Sequence, residues 1–293
     1  MRISTAKVQL VREDIGLLKL VIRKRLGIDL SGYKDGFLRR RVYTRMMACR
    51  TSTIHEYIKI LESSVEERRR LLDALAINVS RFFRDPAVWK VVIDKVLTNS
   101  LRTALDNNRR LHIWSAGCAH GQEPYTIAII IHELAKRLGG LPPVKIYATD
   151  IDQDALRKAR QASYTRAEVA DVPLSLLREY FDHADGFFKV KEQVKRLVVF
   201  KRHDLIKEPP LNFINIIFCR NVIIYFDKPT QYRVFRSFYK SLIPPAYLVL
   251  GATEVLTNEA SALFKVVDSY ARIYRKNTLS LYPSRRTTFK KFI

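Results

Sequence analysis

The stretch Leu111-His112-Ile113-Trp114-Ser115-Ala116-Gly117-Cys118-Ala119-His120-Gly121-Gln122-Glu123-Pro124-Tyr125 decides the fold. Leu111 to Trp114 is a short apolar run that reads as a strand, and Pro124 to Leu138 carries apolar residues at helical spacing behind a proline suited to a helix start. Small residues between them let backbone N–H groups approach a ligand at the carboxyl edge of a sheet, where open α/β folds bind cofactors. The glycines are spaced G-x-x-x-G, unlike the G-x-G-x-x-G of dinucleotide folds, and Glu123 at the helix start repels a pyrophosphate. A nicotinamide dinucleotide is therefore disfavoured. A carboxylate there suits a cationic ligand, such as the amino group of a methionine moiety or a nearby sulfonium. Taken alone, the residues also allow Glu123 simply to favour the helix N-terminus.

Outward from this loop the pattern alternates. Val144 to Ala148, Leu197 to Phe200, Phe213 to Cys219 and Tyr247 to Gly251 read as strands, and Asp152 to Ala162 and Thr230 to Leu242 as helices, the last stopped by Pro244-Pro245. Such alternation predicts a parallel sheet covered on both faces. The second strand ends in Ala148-Thr149-Asp150-Ile151-Asp152, which puts the Asp150 carboxylate at a strand tip where it can accept ribose hydroxyls; Asp152 reads as the cap of the following helix. Between Tyr180 and Phe200 the turn signal Asp185-Gly186 and the alternating Phe187-Phe188-Lys189-Val190 predict a small β insertion. Arg220-Asn221 stands out within the apolar stretch Phe213 to Phe226, because a charged and amide pair there costs stability without partners or a ligand.

From Thr5 to about Leu75 the reading is helical throughout, with Leu38, Val42 and Met46 at i, i+4. Residues 19–50 hold ten Lys or Arg against two acids, Asp29 and Asp35, with Arg39, Arg40, Arg41 and Arg45 on one helix and Arg41 and Arg45 one turn apart on one face. The whole chain of 293 residues has 52 Lys and Arg against 29 Asp and Glu, a net of +23, so an acidic partner is expected. With 47% hydrophobic residues it reads as folded and soluble, not disordered or disulfide-scaffolded. Cys49, Cys118 and Cys219 show no metal-cage or disulfide spacing, and no segment reads as a signal peptide or membrane span, so a reducing, cytoplasmic setting and no metal are expected.

With these residues assembled, the chain resembles the CheR family of chemoreceptor glutamate O-methyltransferases, which are class I S-adenosylmethionine-dependent enzymes. The likeness runs through Asn78-Val79-Ser80-Arg81-Phe82-Phe83-Arg84, Trp114-Ser115-Ala116-Gly117-Cys118 to Glu123-Pro124-Tyr125, Ala148-Thr149-Asp150-Ile151-Asp152, His203-Asp204-Leu205, and Phe218-Cys219-Arg220-Asn221-Val222-Ile223-Ile224-Tyr225-Phe226. The resemblance implies a Rossmann-like α/β methyltransferase domain with a mostly parallel sheet and a small antiparallel β insertion, preceded by a small all-α N-terminal domain. The expected bounds are 1–75 for the helical, receptor-recognising domain and 76–90 for a linker that touches the cofactor. Residues 91–284 then form the methyltransferase domain, with its insertion at about 181–200, and 285–293 a basic tail.

By the same resemblance Asn78, Ser80, Arg84, Gly117, Glu123, Asp150, Asp204, Leu205, Arg220 and Asn221 would bind S-adenosyl-L-methionine, leaving S-adenosyl-L-homocysteine as product. Arg84 and Tyr225 would stand nearest the transferred methyl, and Arg39, Arg40, Arg41 and Arg45 would meet a chemoreceptor's cytoplasmic helices. Ser80 stands where the family usually has Thr, and Gln122 replaces the first of a usual Glu pair. The short insertion gives no expectation of a grip on a receptor's tethering peptide. A monomer is expected, with no nucleic acid and no membrane insertion. Two rivals are weighed beside this: a nucleic-acid methyltransferase, which explains the charge but finds no base-flipping motif, and a catalytically silent receptor-binding scaffold, which the presence of Arg84, Asp150 and Tyr225 opposes.

Overall fold

The computed structural model describes residues 12–27, 29–75 and 80–278. Asn78 and the basic tail therefore lie outside the described residues. Four short helices come first among the described residues: α1 (Arg12–Leu26), α2 (Asp35–Ala48), α3 (Ile54–Ser63) and α4 (Val65–Leu75). Helices of this length are marginal alone, so their stability comes from the face they share. Ile15, Leu18 and Ile22 of α1 meet Leu38, Val42 and Met46 of α2 and Tyr57, Ile58 and Leu61 of α3 in one core. A capping box fixes the start of α3, Thr53 accepting from the Glu56 N–H while Glu56 reaches back to the Thr53 N–H.

Next come α5 (Pro86–Val92), a π-helical stretch Ile93–Leu97 and α6 (Thr98–Asp106), then β1 (Leu111–Ala116), α7 (Gln122–Leu138), β2 (Val144–Asp150) and α8 (Gln153–Gln161). A small region follows with β3 (Ser163–Thr165), α9 (Leu174–Tyr180), β4 (Phe181–Ala184), β5 (Phe187–Val190) and α10 (Glu192–Lys195). The remaining elements among the described residues are β6 (Val198–Arg202), β7 (Ile214–Cys219), a 3-10 turn Ile223–Tyr225, α11 (Lys228–Ser241), β8 (Leu242–Leu250), α12 (Asn258–Ser261), β9 (Phe264–Asp268) and β10 (Ile273–Lys276).

The seven-stranded sheet has the order β6-β2-β1-β7-β8-β10-β9. Its pairings are parallel from β6 through β8, and β10 and β9 complete it antiparallel. The strand order reverses between β1 and β7, which opens a crevice at their carboxyl ends. The mostly parallel sheet is thus as the sequence suggests, with Asp152 capping α8 through the N–H groups of Asp154 and Ala155.

Two boundaries differ from the sequence reading. The small antiparallel sheet has the order β3-β5-β4, so its third strand, Ser163–Thr165, comes from well before residue 181, and Val198 to Phe200 belong to the edge strand β6 of the main sheet. A three-residue strand offers no periodicity to read. Pro244 and Pro245 also lie inside β8, whereas α11 already ends at Ser241.

Candidate functional site

Only glycine serves at position 117. Its φ is +79°, and an added Cβ would stand 2.3 Å from the Val222 side chain. This close approach brings the loop after β1 against the loop after β7. Glu123, in the first turn of α7, accepts from the Ser115 hydroxyl at 2.7 Å, and its other oxygen lies 3.7 Å from the Arg220 guanidinium. Burial pushes the Glu123 carboxyl up, and the Arg220 charge works against that shift. Asp150 ends β2. Its oxygens accept one backbone N–H each, from Ala119 at 2.8 Å and Asp152 at 3.0 Å, which aims the carboxylate and leaves further lone pairs. Burial raises this carboxyl too. Beyond β6, Asp204 accepts from the N–H groups of Ile206 and Lys207 and turns Leu205 toward the same space.

The segment before α5 is pinned at three points. Phe82 is fully buried against Tyr164 and Phe181, the Phe83 N–H donates to Thr126, and Arg220 donates to both the Arg84 carbonyl (3.1 Å) and the Asp85 carboxylate (2.7 Å). Arg220, its side chain 3% exposed, also lies over the Trp89 ring. The guanidinium is thus a strut joining the end of β7 to the Arg84 segment. That answers the sequence's question of what such a charge does in an apolar stretch: it has partners. Asn221 beside it stands at φ +62°, and its side-chain oxygen is buried with no partner among the described residues.

The helical domain closes the site. Lys34 N–H donates to the Tyr225 carbonyl at 3.0 Å, Asp227 N–H donates to the Gly32 carbonyl at 2.9 Å, and Tyr33 bridges Phe226. The Phe37 ring of α2 lies 4.8 Å from the Tyr225 ring. Burial raises the Tyr225 phenol while Arg41, Arg84 and Arg40 oppose it, so the hydroxyl keeps its proton at neutral pH beside three cationic groups. Tyr33 faces Asp204 and Asp150 from the other domain, and its phenol is pushed up to about 12 by burial and then by those two carboxylates.

One open cavity gathers these groups. Of the residues expected at the site, Ser80, Arg84, Gly117, Glu123, Asp150, Asp204, Leu205, Arg220, Asn221 and Tyr225 line it. On α2, Arg39 and Arg40 are exposed and Arg41 is half-buried over Phe37. Arg45 differs from its sequence reading. Its Nε and Nη2 grip both oxygens of Glu67 at 2.9 and 2.5 Å, and its side chain is 17% exposed, so the face it shares with Arg41 in sequence turns inward before it arrives. Sequence reasoning also passed over Tyr33, Trp89 and Glu254. Only Glu254 left a trace, as an acid three residues after a strand-ending glycine.

In a chain with a large basic excess, a cavity holding Glu123, Asp150 and Asp204 is suited to a cationic ligand rich in hydroxyl groups. The CheR methyltransferase SAM-binding domain model matches residues 78–273, and the CheR methyltransferase all-alpha domain model matches residues 13–76. The chain belongs to the CheR methyltransferase family. The "Chemotaxis protein methyltransferase" of Borreliella burgdorferi is 30% identical over 90% of this chain and 96% of its own length. "Chemotaxis protein methyltransferase 1" of Vibrio cholerae is 35% identical over 80% of this chain and 86% of its own. An "Uncharacterized 104.1 kDa protein" of Rhodobacter capsulatus is 28% identical over 90% of this chain, which spans 27% of that relative's length. The CheR architecture of an all-α domain followed by a Rossmann-like, S-adenosylmethionine-dependent methyltransferase domain is therefore this chain's architecture.

Among the described residues no helix is long and apolar enough to cross a membrane, and no group of three or more His, Cys, Asp or Glu is placed to hold a metal ion.

Proposed function

We propose that the chain methylates glutamate carboxylates on the cytoplasmic helices of a chemoreceptor, forming methyl esters. The observation that carries this is one cavity lined by the carboxylates Glu123, Asp150 and Asp204 together with Arg84 and Tyr225, whose ring lies against Phe37 of α2. The residues fit S-adenosylmethionine. Asp150, with its remaining lone pairs, would take ribose hydroxyls, Glu123 would face the cationic methionine end, and the unpartnered Asn221 oxygen would accept from the ligand. Ser80, Gly117, Asp204 and Leu205 would complete the lining, with Asn78 expected beside them. When bound, the cofactor supplies an activated methyl group on a sulfonium.

The chain's own residues then have modest work. A substrate glutamate, with an ordinary pKa of about 4.3, is already ionised at neutral pH, so no general base is needed. This agrees with a cavity whose one histidine, His203, is held by the Pro209 carbonyl and the Trp114 ring. Arg84 orients the incoming carboxylate, and the protonated Tyr225 hydroxyl donates beside it. Arg220 fixes Arg84 through the backbone, a role that replaces direct cofactor contact in this reading. Alignment of this kind, with water removed, is worth on the order of 7–11 kcal/mol. The exposed arginines of α2 steer an acidic receptor surface to the mouth. The protein would act in the cytoplasm, as a monomer, without metal or nucleic acid.

The test is incubation of the full chain with methyl-labelled S-adenosylmethionine and receptor cytoplasmic fragments. Label in the receptor that alkali releases as methanol is expected, and Arg84→Ala should lose it. Label that passes instead to added RNA, or a chain that binds the nucleoside yet transfers nothing to any carboxylate, overturns the reading.

A further inference from the structure

The buried acid Glu254 has no part in the chemistry described so far. Its side chain follows β8 in Gly251-Ala252-Thr253-Glu254 and is 3% exposed. One oxygen accepts from the N–H groups of Val222 (2.9 Å), Ile223 (2.8 Å) and Ile224 (3.3 Å), and the other from Asn221 (2.8 Å) and Gly251 (2.7 Å). Five backbone donors converge on one carboxylate, and no cationic side chain is among these partners. Four of them are the N–H groups that enter the 3-10 turn Ile223–Tyr225, the donors that a helix start leaves unpaired. Here they are capped from a loop 30 residues downstream.

The sequence makes room for this at a specific cost. A Cβ on residue 251 would stand 2.8 Å from a Glu254 oxygen and 2.9 Å from the Asn221 nitrogen, so only glycine there admits the carboxylate. The grip also holds Asn221 at φ +62°, in the left-handed region that asparagine adopts more readily than most residues with a side chain. Tyr225 is the next residue after the last gripped N–H.

We propose that Glu254 is a positioning residue for methyl transfer, holding the loop Asn221–Tyr225 so that the Asn221 amide and the Tyr225 hydroxyl face the cavity. The assignment rests on the carboxyl-methylating role argued above. Glu254→Gln keeps the size but turns an amide NH2 toward N–H donors. Gly251→Ala pushes the carboxylate away without touching its charge. Each should lower kcat for receptor fragments by on the order of 10- to 100-fold, the scale of a misplacement near 1 Å. KM for the receptor should stay within about twofold, because the docking face on α2 is untouched. Amide hydrogen exchange at residues 221–224 should accelerate in both variants, and Glu254→Asp, which keeps the charge at shorter reach, should recover part of the rate.

Folded variants with wild-type kcat overturn the proposal, as does a loss confined to melting temperature with unchanged activity per folded molecule. If Glu254→Gln fails to fold, Gly251→Ala and Glu254→Asp carry the same test. Exchange that accelerates while wild-type turnover persists overturns the proposal too, because the loop is then released without consequence for methyl transfer. A wild-type chain that methylates no carboxylate overturns the underlying role, and it is told apart because exchange at 221–224 still reports whether Glu254 holds the loop.

Discussion

Carboxylates are held in opposite ways in the two regions that meet at the cavity. On the rim of the sheet, Asp150, Asp204 and Glu254 are gripped by backbone N–H groups, whereas Glu123 accepts from the Ser115 side-chain hydroxyl and lies 3.7 Å from Arg220. In the helical domain, Glu67 is gripped by the Arg45 and Tyr57 side chains, Asp35 by Lys19, and Glu62 by Arg25. A carboxylate fixed by main chain keeps its net charge, which Asp150 and Asp204 present to the cavity, whereas one fixed by a cationic side chain is neutralised and neutralises its partner. The rim therefore presents negative charge inside a basic protein, and the helical domain spends some of its positive charge on itself. The excess that remains outward on α2 is what a partner can meet.

The sharpest way to break this contrast is to remove one charge from each region. Asp150→Asn should weaken S-adenosylhomocysteine binding about 100-fold, since two charged hydrogen bonds to a ligand at about 1.5 kcal/mol each are lost, while the melting temperature falls by no more than the loss of the one backbone N–H bond that the amide NH2 cannot accept. Glu67→Gln should do the reverse. It leaves Arg45 half-satisfied in a nearly buried position and costs about 1–3 kcal/mol of stability, with ligand affinity unchanged. Calorimetry and thermal melting on both variants check the pair. Equal losses of affinity and stability in either one would mean that the two regions are not separate in this way.

Acid separates them without mutation. Burial raises the carboxyls of Glu123 and Asp150, so in the unliganded protein their ionised forms cost stability, and that cost is relieved as pH falls through their raised folded pKa values. Ligand that needs those charges is lost over the same range, above the ordinary carboxylate values. For Glu67, burial pushes upward, but the bonds from Arg45 and Tyr57, with Cys49 beside them, outweigh it and the net shift is downward. Its contribution to stability is present above the unfolded value and disappears only as pH falls through the lower folded value. Nucleoside affinity should thus fade at milder acidity than the helical domain melts. A titration in which both fail at one pH would contradict the assignment.

What the sequence could reveal follows the same divide. Glu123, Asp150 and Arg220-Asn221 were legible because strand, tip and loop lie next to each other in the chain, so a charged residue at a strand's end announces itself. The pairing of Arg45 with Glu67 spans 22 residues and depends on how α2 crosses α4, which no local pattern encodes. Glu254 left only a faint trace for the same reason, because four of its five donors lie 30 to 33 residues upstream and a lone acid after a strand reads as solvated. The π-helical stretch at 93–97 and the strands β9 and β10 were not anticipated either; the last two alternate weakly, with Lys265, Arg275 and Lys276 among only four or five residues.

The smallest effect is expected from the arginines of α2, and it bears most directly on the docking role of that helix. Arg41 and Arg45 are one turn apart, yet Arg41 lies over Phe37 beside the Tyr225 ring and Arg45 is closed onto Glu67. Arg41→Glu should raise KM for receptor fragments about 3- to 10-fold at low salt. The effect should shrink as salt is added, because charges meeting across an exposed mouth are screened over a Debye length of about 8 Å at physiological ionic strength. Cofactor affinity and melting temperature should barely move. Arg45→Ala should instead lower the melting temperature and leave KM of the folded fraction alone. If both substitutions raise KM alike, the receptor reaches further along α2 than the mouth, and the Glu67 pair must open when it docks.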